Sequence, residues 1–303
     1  MSYTTSLELT RNITEYRRIL EDVVDLHVHL APDVAERSND DIEFARVAEK
    51  VGYKAFLIKN HNLITADRAW IVSKLFERIK VFGGIVLNSY VGGLNPEAVE
   101  TAILLGAKQV WMPTLNAANH INYFGEAALP TLKRVKELKS KRARKIKISI
   151  FDENGKILEE VKEILELIAE ADIILGTGHL SLAEIFELVK EARRAGVRKI
   201  LVTHPEFKAT KIPLEDQVKL ADMGAYMEHC AVAGYEPREL AENIKRVGVD
   251  KCVLSSDAGQ PKKGHPIDVM YKLVTDLLEQ GVTDEEIRRM TVENPSRLLS
   301  LED

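Results

Sequence analysis

The sequence predicts a single (β/α)8 barrel of 303 residues, and three observations carry that expectation. Short β-branched runs alternate with longer amphipathic runs along nearly the whole chain. Most of the short runs are continuously apolar, as parallel strands buried on both faces require. Glycine closes four of the amphipathic runs, at Val51-Gly52, Leu105-Gly106, Ala195-Gly196 and Val247-Gly248, and each leads into the next strand. A glycine in the left-handed conformation is a common helix stop. The length suits one barrel of this kind, with a doubly wound open sheet as the alternative.

In chain order, residues 1–22 read as an amphipathic helix packed on the outside. Strands are expected at 23–29, 54–58, 81–87, 107–112, 172–175, 199–202, 225–228 and 251–254. Helical patterns fill the gaps at 41–51, 65–79, 98–105, 159–169, 183–195 and 238–247. One connection departs from the alternation. After the fourth strand, residues 113–156 hold a helical stretch near 131–140, a strand-like run at 146–151 and an Asn154-Gly155 turn. This segment reads as an insertion over one end of a single-domain barrel. The alternative makes 146–151 a ninth barrel strand.

Composition bounds the function classes. Hydrophobic residues make up 45% of the chain, which excludes a disordered protein. The two cysteines, Cys230 and Cys252, allow at most one bridge, which excludes a disulfide-built scaffold and points to a reducing cytoplasm. A net charge of −5 gives no general attraction to nucleic acid or anionic membrane. No run approaches membrane-spanning length, and the first 20 residues lack the apolar core of a signal peptide. The charge is uneven: residues 132–147 hold nine Lys/Arg and one Glu, a local +8 that leaves −13 for the rest. That run reads as a solvated face of the insertion or a contact within a homo-oligomer, with an anionic partner as the alternative.

The eight histidines carry the functional signal. On the predicted strands, all eight fall at strand ends or in the loops that follow them, and that is the working face of such a barrel. In Asp25-Leu26-His27-Val28-His29, residues two apart on a strand point the same way, so both imidazoles enter the barrel mouth. Asp25 is placed one step deeper on that face, able to accept the far N–H of a ligating histidine. His179 in Gly176-Thr177-Gly178-His179 and His204 in Val202-Thr203-His204-Pro205 each follow a strand, as does Asp257 in Ser255-Ser256-Asp257-Ala258-Gly259. Neutral imidazoles with a carboxylate are a ligand set for zinc and similar cations. A set of hydrogen-bonded structural histidines is the alternative.

The order of an HxH pair, two single histidines and an aspartate on the first, fifth, sixth and eighth strands resembles the amidohydrolase superfamily of metal-dependent hydrolases, over nearly the whole barrel. The resemblance implies one divalent cation, zinc by preference, held by His27, His29 and Asp257, and a second held by His179 and His204. It also implies a bridging lysine or glutamate at the end of the fourth strand. Here that strand ends Val110-Trp111-Met112-Pro113-Thr114, with neither. Lys59, in Leu57-Ile58-Lys59-Asn60-His61, is the best substitute: it shares its strand face with His61 beside the histidine pair, and a neutral amine there can take up CO2 as an anionic carbamate ligand. A substrate contact is the other role for Lys59, and without a bridge the site holds one cation.

Further candidates line the same mouth. Glu228 is the weaker choice for the missing carboxylate, or a substrate contact. His61 is a substrate contact, Arg37 can clamp a substrate carboxylate, and Asn88, before the Gly92-Gly93 turn, can meet an anion. His120, His229 and His265 remain as outer-shell or substrate candidates. The expected chemistry is hydrolysis of an amide, lactone, ester or phosphoester of a small molecule, with Asp257 carrying the proton. A metal-dependent lyase or decarboxylase, and a non-catalytic metal- or metabolite-binding barrel, are the alternatives.

Overall fold

The structure is a computed structural model, and it describes residues 13–126 and 145–301. Most of the basic run and the 131–140 helix, as well as the first half of the N-terminal helix, lie outside those residues.

Eight parallel strands stand side by side in chain order, each followed by helix. They are β1 (Val24–Val28), β2 (Ala55–Ile58), β3 (Lys80–Val86), β4 (Gln109–Trp111), β5 (Ile174–Gly176), β6 (Ile200–Thr203), β7 (Tyr226–Cys230) and β8 (Cys252–Ser255). The ring closes just past the end of β8, where Val28 bridges Ala258 in parallel, Asp257 N donates to His27 O at 2.8 Å and His29 N donates to Ala258 O at 2.8 Å. The closing seam is therefore built from the residues proposed as ligands.

Helix α1 (Ile13–Leu20) packs outside, followed by α2 (Asp41–Val51), α3 (Ala66–Ser73), α4 (Pro96–Leu104), α5 (Ala118–Phe124), α6 (Glu159–Ala171), α7 (Leu182–Arg194), α8 (Leu214–Asp222), α9 (Pro237–Val247) and α10 (Pro266–Glu279). The four glycine stops all hold positive φ, between 89° and 95°. Capping boxes start α2 (Asp40 with Glu43) and α7 (Ser181 with Glu184), satisfying the first free N–H groups. The helix expected over 65–79 stops at Ser73, and the chain then runs in turns to β3.

The core has two shells. Outward-facing strand residues such as Phe56, Ile58, Val110 and Val202 pack against the helices. Inward-facing Leu26, Leu57, Val86, Trp111, Ile174, Leu201 and Val253 fill the barrel. Helices α11 (Asp284–Arg288) and α12 (Asn294–Leu299) close the other end: Asn294 donates to Val249 O and Cys252 O at the start of β8, while Leu298 and Leu299 join the inner shell. After β4, residues 146–151 make only isolated bridges, Ile148 to Ala117 and Phe151 to Ile157, so they are not a ninth barrel strand.

Candidate metal centre

Strand β1 does not keep simple alternation. Val24 and Leu26 face the interior while Val28 belongs to the outer shell, and the register against β2 shifts between Asp25 and Val28. This irregularity changes the phase of the strand before its end, which puts His27 and His29 together in the mouth. Asp25 is thereby removed from the role its spacing suggested. Its Oδ1 accepts the backbone N–H groups of His27 and Ser256, both at 3.1 Å, pinning the bend to the end of β8.

Five imidazoles form a closed ring. Successive centroid distances are 5.3 Å (His27–His29), 4.8 Å (His29–His61), 6.4 Å (His61–His179), 5.0 Å (His179–His204) and 6.1 Å (His204–His27). Asp257 Oδ1 lies 3.0 Å from His27 Nε2 and 3.1 Å from His29 Nε2, and Lys59 Nζ lies 2.9 Å from the same His27 nitrogen. The two histidine pairs, Asp257 and Lys59 thus lie together at the mouth, with His61 completing the ring. Asp257 keeps 15% side-chain exposure against 0–1% for His27 and His29, so the carboxylate is the solvent-facing member of that trio.

Backbone geometry holds two of these groups under constraint. His204 (φ 32°) and Asp257 (φ 49°) both occupy the left-handed region, which side chains other than glycine rarely adopt and which clusters at functional sites. Gly259 is required beside them, since a Cβ there would fall 1.7 Å from His29 O.

The electrostatics suit cation binding. Burial holds His29, His61 and His179 well below the usual imidazole range and brings His204 to about 3, so these rings are neutral with a lone pair each. Burial and Lys59 also pull His27 down, but the Asp257 and Glu228 carboxylates outweigh them and raise it. Burial opposes the charge on Asp257, and His27 and His29 overcome it, holding the carboxyl well below its usual range. Burial lowers the Lys59 amine. Two carboxylates and an amine packed against neutral imidazoles, with buried His204 Nδ1 and Glu228 Oε1 lacking a hydrogen-bond partner among the described residues, fit a divalent cation.

Strand β4 (Gln109–Trp111) brings no lysine or glutamate to the mouth. Trp111 fills the position where a lysine or glutamate was expected, with its ring 5.1 Å from Lys59 Nζ and 6.0 Å from His27. Glycines flank the indole: a Cβ on Gly176 of β5 would lie 2.5 Å from Trp111 Cδ1, and one on Gly84 of β3 would lie 2.8 Å from Cζ3 and 2.3 Å from the Gln109 backbone oxygen. In the sequence this appears as glycines inside the two strands that flank a tryptophan-bearing strand.

Glu228 and Cys230 stand behind His27. Glu228 Oε2 lies 3.4 Å from His27 Nδ1 and Cys230 Sγ 3.7 Å from it, so the carboxylate supports the far side of the His27 ring. The sequence reading missed Cys230, and Phe207 as well, whose ring covers His179 and His204 at 4.8 Å each.

Three other expectations need correction. The Arg37 side chain is only 2% exposed; its Nε and Nη2 are engaged by Asp33, the latter at 2.6 Å, and Nη2 also lies 3.5 Å from His29 Nδ1, so these donors are directed to its own loop and to His29. Asn88 makes four hydrogen bonds to its own chain and has no donor left for an anion. His229 and His265 lie away from the ring: His229 pairs with Glu206 at 2.7 Å, and His265 caps α10 by accepting from Ile267 N. His120, by contrast, reaches His179, Nδ1 to Nδ1 at 2.8 Å.

Residues 22–228 match the profile of a family of unknown function (DUF6282). No curated protein matches the chain. Solved structures match over nearly the full length. An amidohydrolase from Pseudomonas aeruginosa superimposes with a TM-score of 0.61 at 15% identity, covering 95% of this chain and 98% of the other. A mutant organophosphorus hydrolase gives 0.60 at 14%, covering 94% of each chain. The 2,6-dihydroxybenzoate decarboxylase from Rhizobium gives 0.55 at 9%, covering 94% and 100%. At such identities the likeness is one of fold, and the fold is that of amidohydrolase-superfamily barrels, as the resemblance in sequence implied.

Proposed function

The chain belongs to the family of unknown function DUF6282, and from its amidohydrolase-type barrel we propose that it is a metal-dependent hydrolase of small-molecule amides, lactones, esters or phosphoesters. The observation that carries this reading is the convergence of His27 Nε2 and His29 Nε2 on Asp257 Oδ1 within 3.0–3.1 Å at the solvent-facing end of the barrel. His27, His29 and Asp257 would hold a first cation, zinc by preference, and His179 and His204 a second, with a carbamylated Lys59 between them. A bound divalent cation polarises a carbonyl or phosphoryl oxygen and acidifies water.

The side chains supply the rest. Asp257 is the one carboxylate of the trio open to solvent, and it takes the proton of the attacking water at Oδ1 and passes it to the leaving group. Glu228 holds the His27 ring in place from Nδ1. Phe207 and Trp111 exclude water from the two sides of the cluster, which strengthens every charge interaction within it. Trp111 also favours a second reading, a one-cation lyase or decarboxylase, because no bridging group comes from β4.

The test is metal content after zinc loading, followed by a panel of lactone, amide, ester and phosphotriester substrates with product analysis. Wild type should retain at least one zinc and hydrolyse one substrate class. Asp257→Asn should lose about 10²–10⁴ in turnover while Asp257 is the proton carrier. A protein that retains no metal ends the reading. Release of CO2 without hydrolysis moves it to the lyase class, and an Asp257→Asn variant with bound metal and full turnover removes the proton role.

A further inference from the structure

One nitrogen of His61 faces the imidazole ring and the other faces the scaffold. Nδ1 lies 2.8 Å from Thr114 Oγ1, and the direction of that hydrogen bond is decided at Asn88. The backbone N–H groups of Thr114 and Asn116 both donate to Asn88 Oδ1, at 2.9 and 3.1 Å, which fixes the orientation of the amide. Asn88 Nδ2 therefore donates, to His61 O at 2.9 Å and to Thr114 Oγ1 at 2.8 Å. The Thr114 hydroxyl accepts from Asn88 and still carries its own proton. Thr114 is fully buried, and among the described residues His61 Nδ1 is the one acceptor its hydroxyl reaches. A buried hydroxyl proton without an acceptor is costly. Thr114 therefore donates and His61 Nδ1 accepts, which leaves the ring proton on Nε2.

Among the described residues nothing hydrogen-bonds Nε2, and the ring stands between His29 at 4.8 Å and His179 at 6.4 Å. We propose that the Asn88–Thr114 relay fixes His61 as an N–H donor into the mouth, and that this N–H binds the carbonyl or phosphoryl oxygen on which negative charge develops. The proposal rests on the hydrolase reading for its substrate and on the hydrogen-bond geometry for its tautomer. His61 then closes the imidazole ring without being a ligand, because Nε2 has no lone pair. Asn88 and Thr114 are positioning residues, and Asn88 serves an anion only through them. A fixed donor of this kind costs no reorganisation when charge appears on the oxygen.

Long-range proton–nitrogen correlation spectra of the full chain read the tautomer, with His61 assigned by comparison with His61→Gln. A protonated Nε2 and an unprotonated Nδ1 are expected. Thr114→Val, which keeps the shape and removes the hydroxyl, should shift protonation toward Nδ1. A wild-type ring protonated at Nδ1 overturns the proposal, and so does a tautomer that Thr114→Val leaves unchanged. The donor role is read by calorimetry with inorganic phosphate on zinc-loaded protein. His61→Leu should weaken phosphate binding about tenfold or more, whereas His61→Gln, which keeps an N–H donor, should stay close to wild type. Equal binding by wild type and His61→Leu, or no phosphate binding by either, overturns the donor role. The tautomer is measured without metal or turnover, so failure of the hydrolase reading leaves that result standing, and failure of the relay shows whether or not zinc binds.

Discussion

Trp111 and Gly176 should show opposite effects of one methyl group, depending on whether the indole is present. Gly176→Ala places a Cβ 2.5 Å from Trp111 Cδ1 and 3.0 Å from Gln109 Nε2. The glutamine end can move, but the indole is held by the inner shell and by Gly84 on its other side. Overpacking of this kind costs about 1–3 kcal/mol. Trp111→Ala alone should cost about 3–5 kcal/mol, toward the upper end, because the flanking glycines have no side chains to fill the space. In the Trp111→Ala background the added methyl meets a cavity. Gly176 is also not among the positive-φ residues, so alanine there should be neutral or stabilise by about 0.4–1 kcal/mol. The coupling across the pair is then about 1.5–4 kcal/mol. Urea unfolding of the four proteins, with unchanged slopes, measures it. Trp111→Leu serves if the alanine variant is too unstable to give a folded baseline. A Gly176→Ala cost of the same sign and size in both backgrounds would refute the argument that Gly176 makes room for this tryptophan.

Stability should fall between pH 6.5 and 10 through a pair outside the centre. Burial opposes charge on His229, but Glu206 at 2.7 Å, together with Cys252, outweighs it and raises the ring to about 10. A folded value above the unfolded one stabilises fully below pH 6.5, and the benefit disappears as pH passes 10, up to about 5 kcal/mol in all. Glu206→Gln should flatten that slope in unfolding curves taken across the range, and a wild-type curve already as flat as the variant's contradicts the assignment. For Lys59, carbon-13 bicarbonate should give a carbamate resonance in zinc-loaded wild type that is lost in Lys59→Met. A wild-type spectrum without it removes the bridge and leaves the amine as a substrate contact.

The strand order and the polarity of the barrel were legible because parallel strands buried on both faces are continuously apolar and their helices end on glycine. That same regularity put the histidines at one end, and the resemblance in strand order singled out His27, His29, His179, His204 and Asp257 among them. Lys59 was legible for the same reason: β2 keeps its alternation, with Ala55 and Leu57 inward and Phe56 and Ile58 outward. Asp25 was misplaced because β1 breaks alternation, and a register shift is a property of two strands, not of one. Arg37 and Asn88 read as substrate contacts from residue type and loop position, whereas the structure gives their donors to Asp33, His61 and Thr114, partners 4 to 27 residues away along the chain. A side chain's hydrogen bonds are exclusive, and sequence does not say who occupies them.

By itself, then, the sequence determined which residue types reach the mouth of the barrel, because strand period and helix stops are local and repeat. Only the tertiary structure decided how those groups divide the work: that five imidazoles close a ring, that Trp111 sits where a bridging ligand was expected, and that Glu228 stands behind His27. These are facts about neighbouring strands. They depend on register, on the space two glycines leave, and on which partner claims each donor, and none of these is encoded within a single strand.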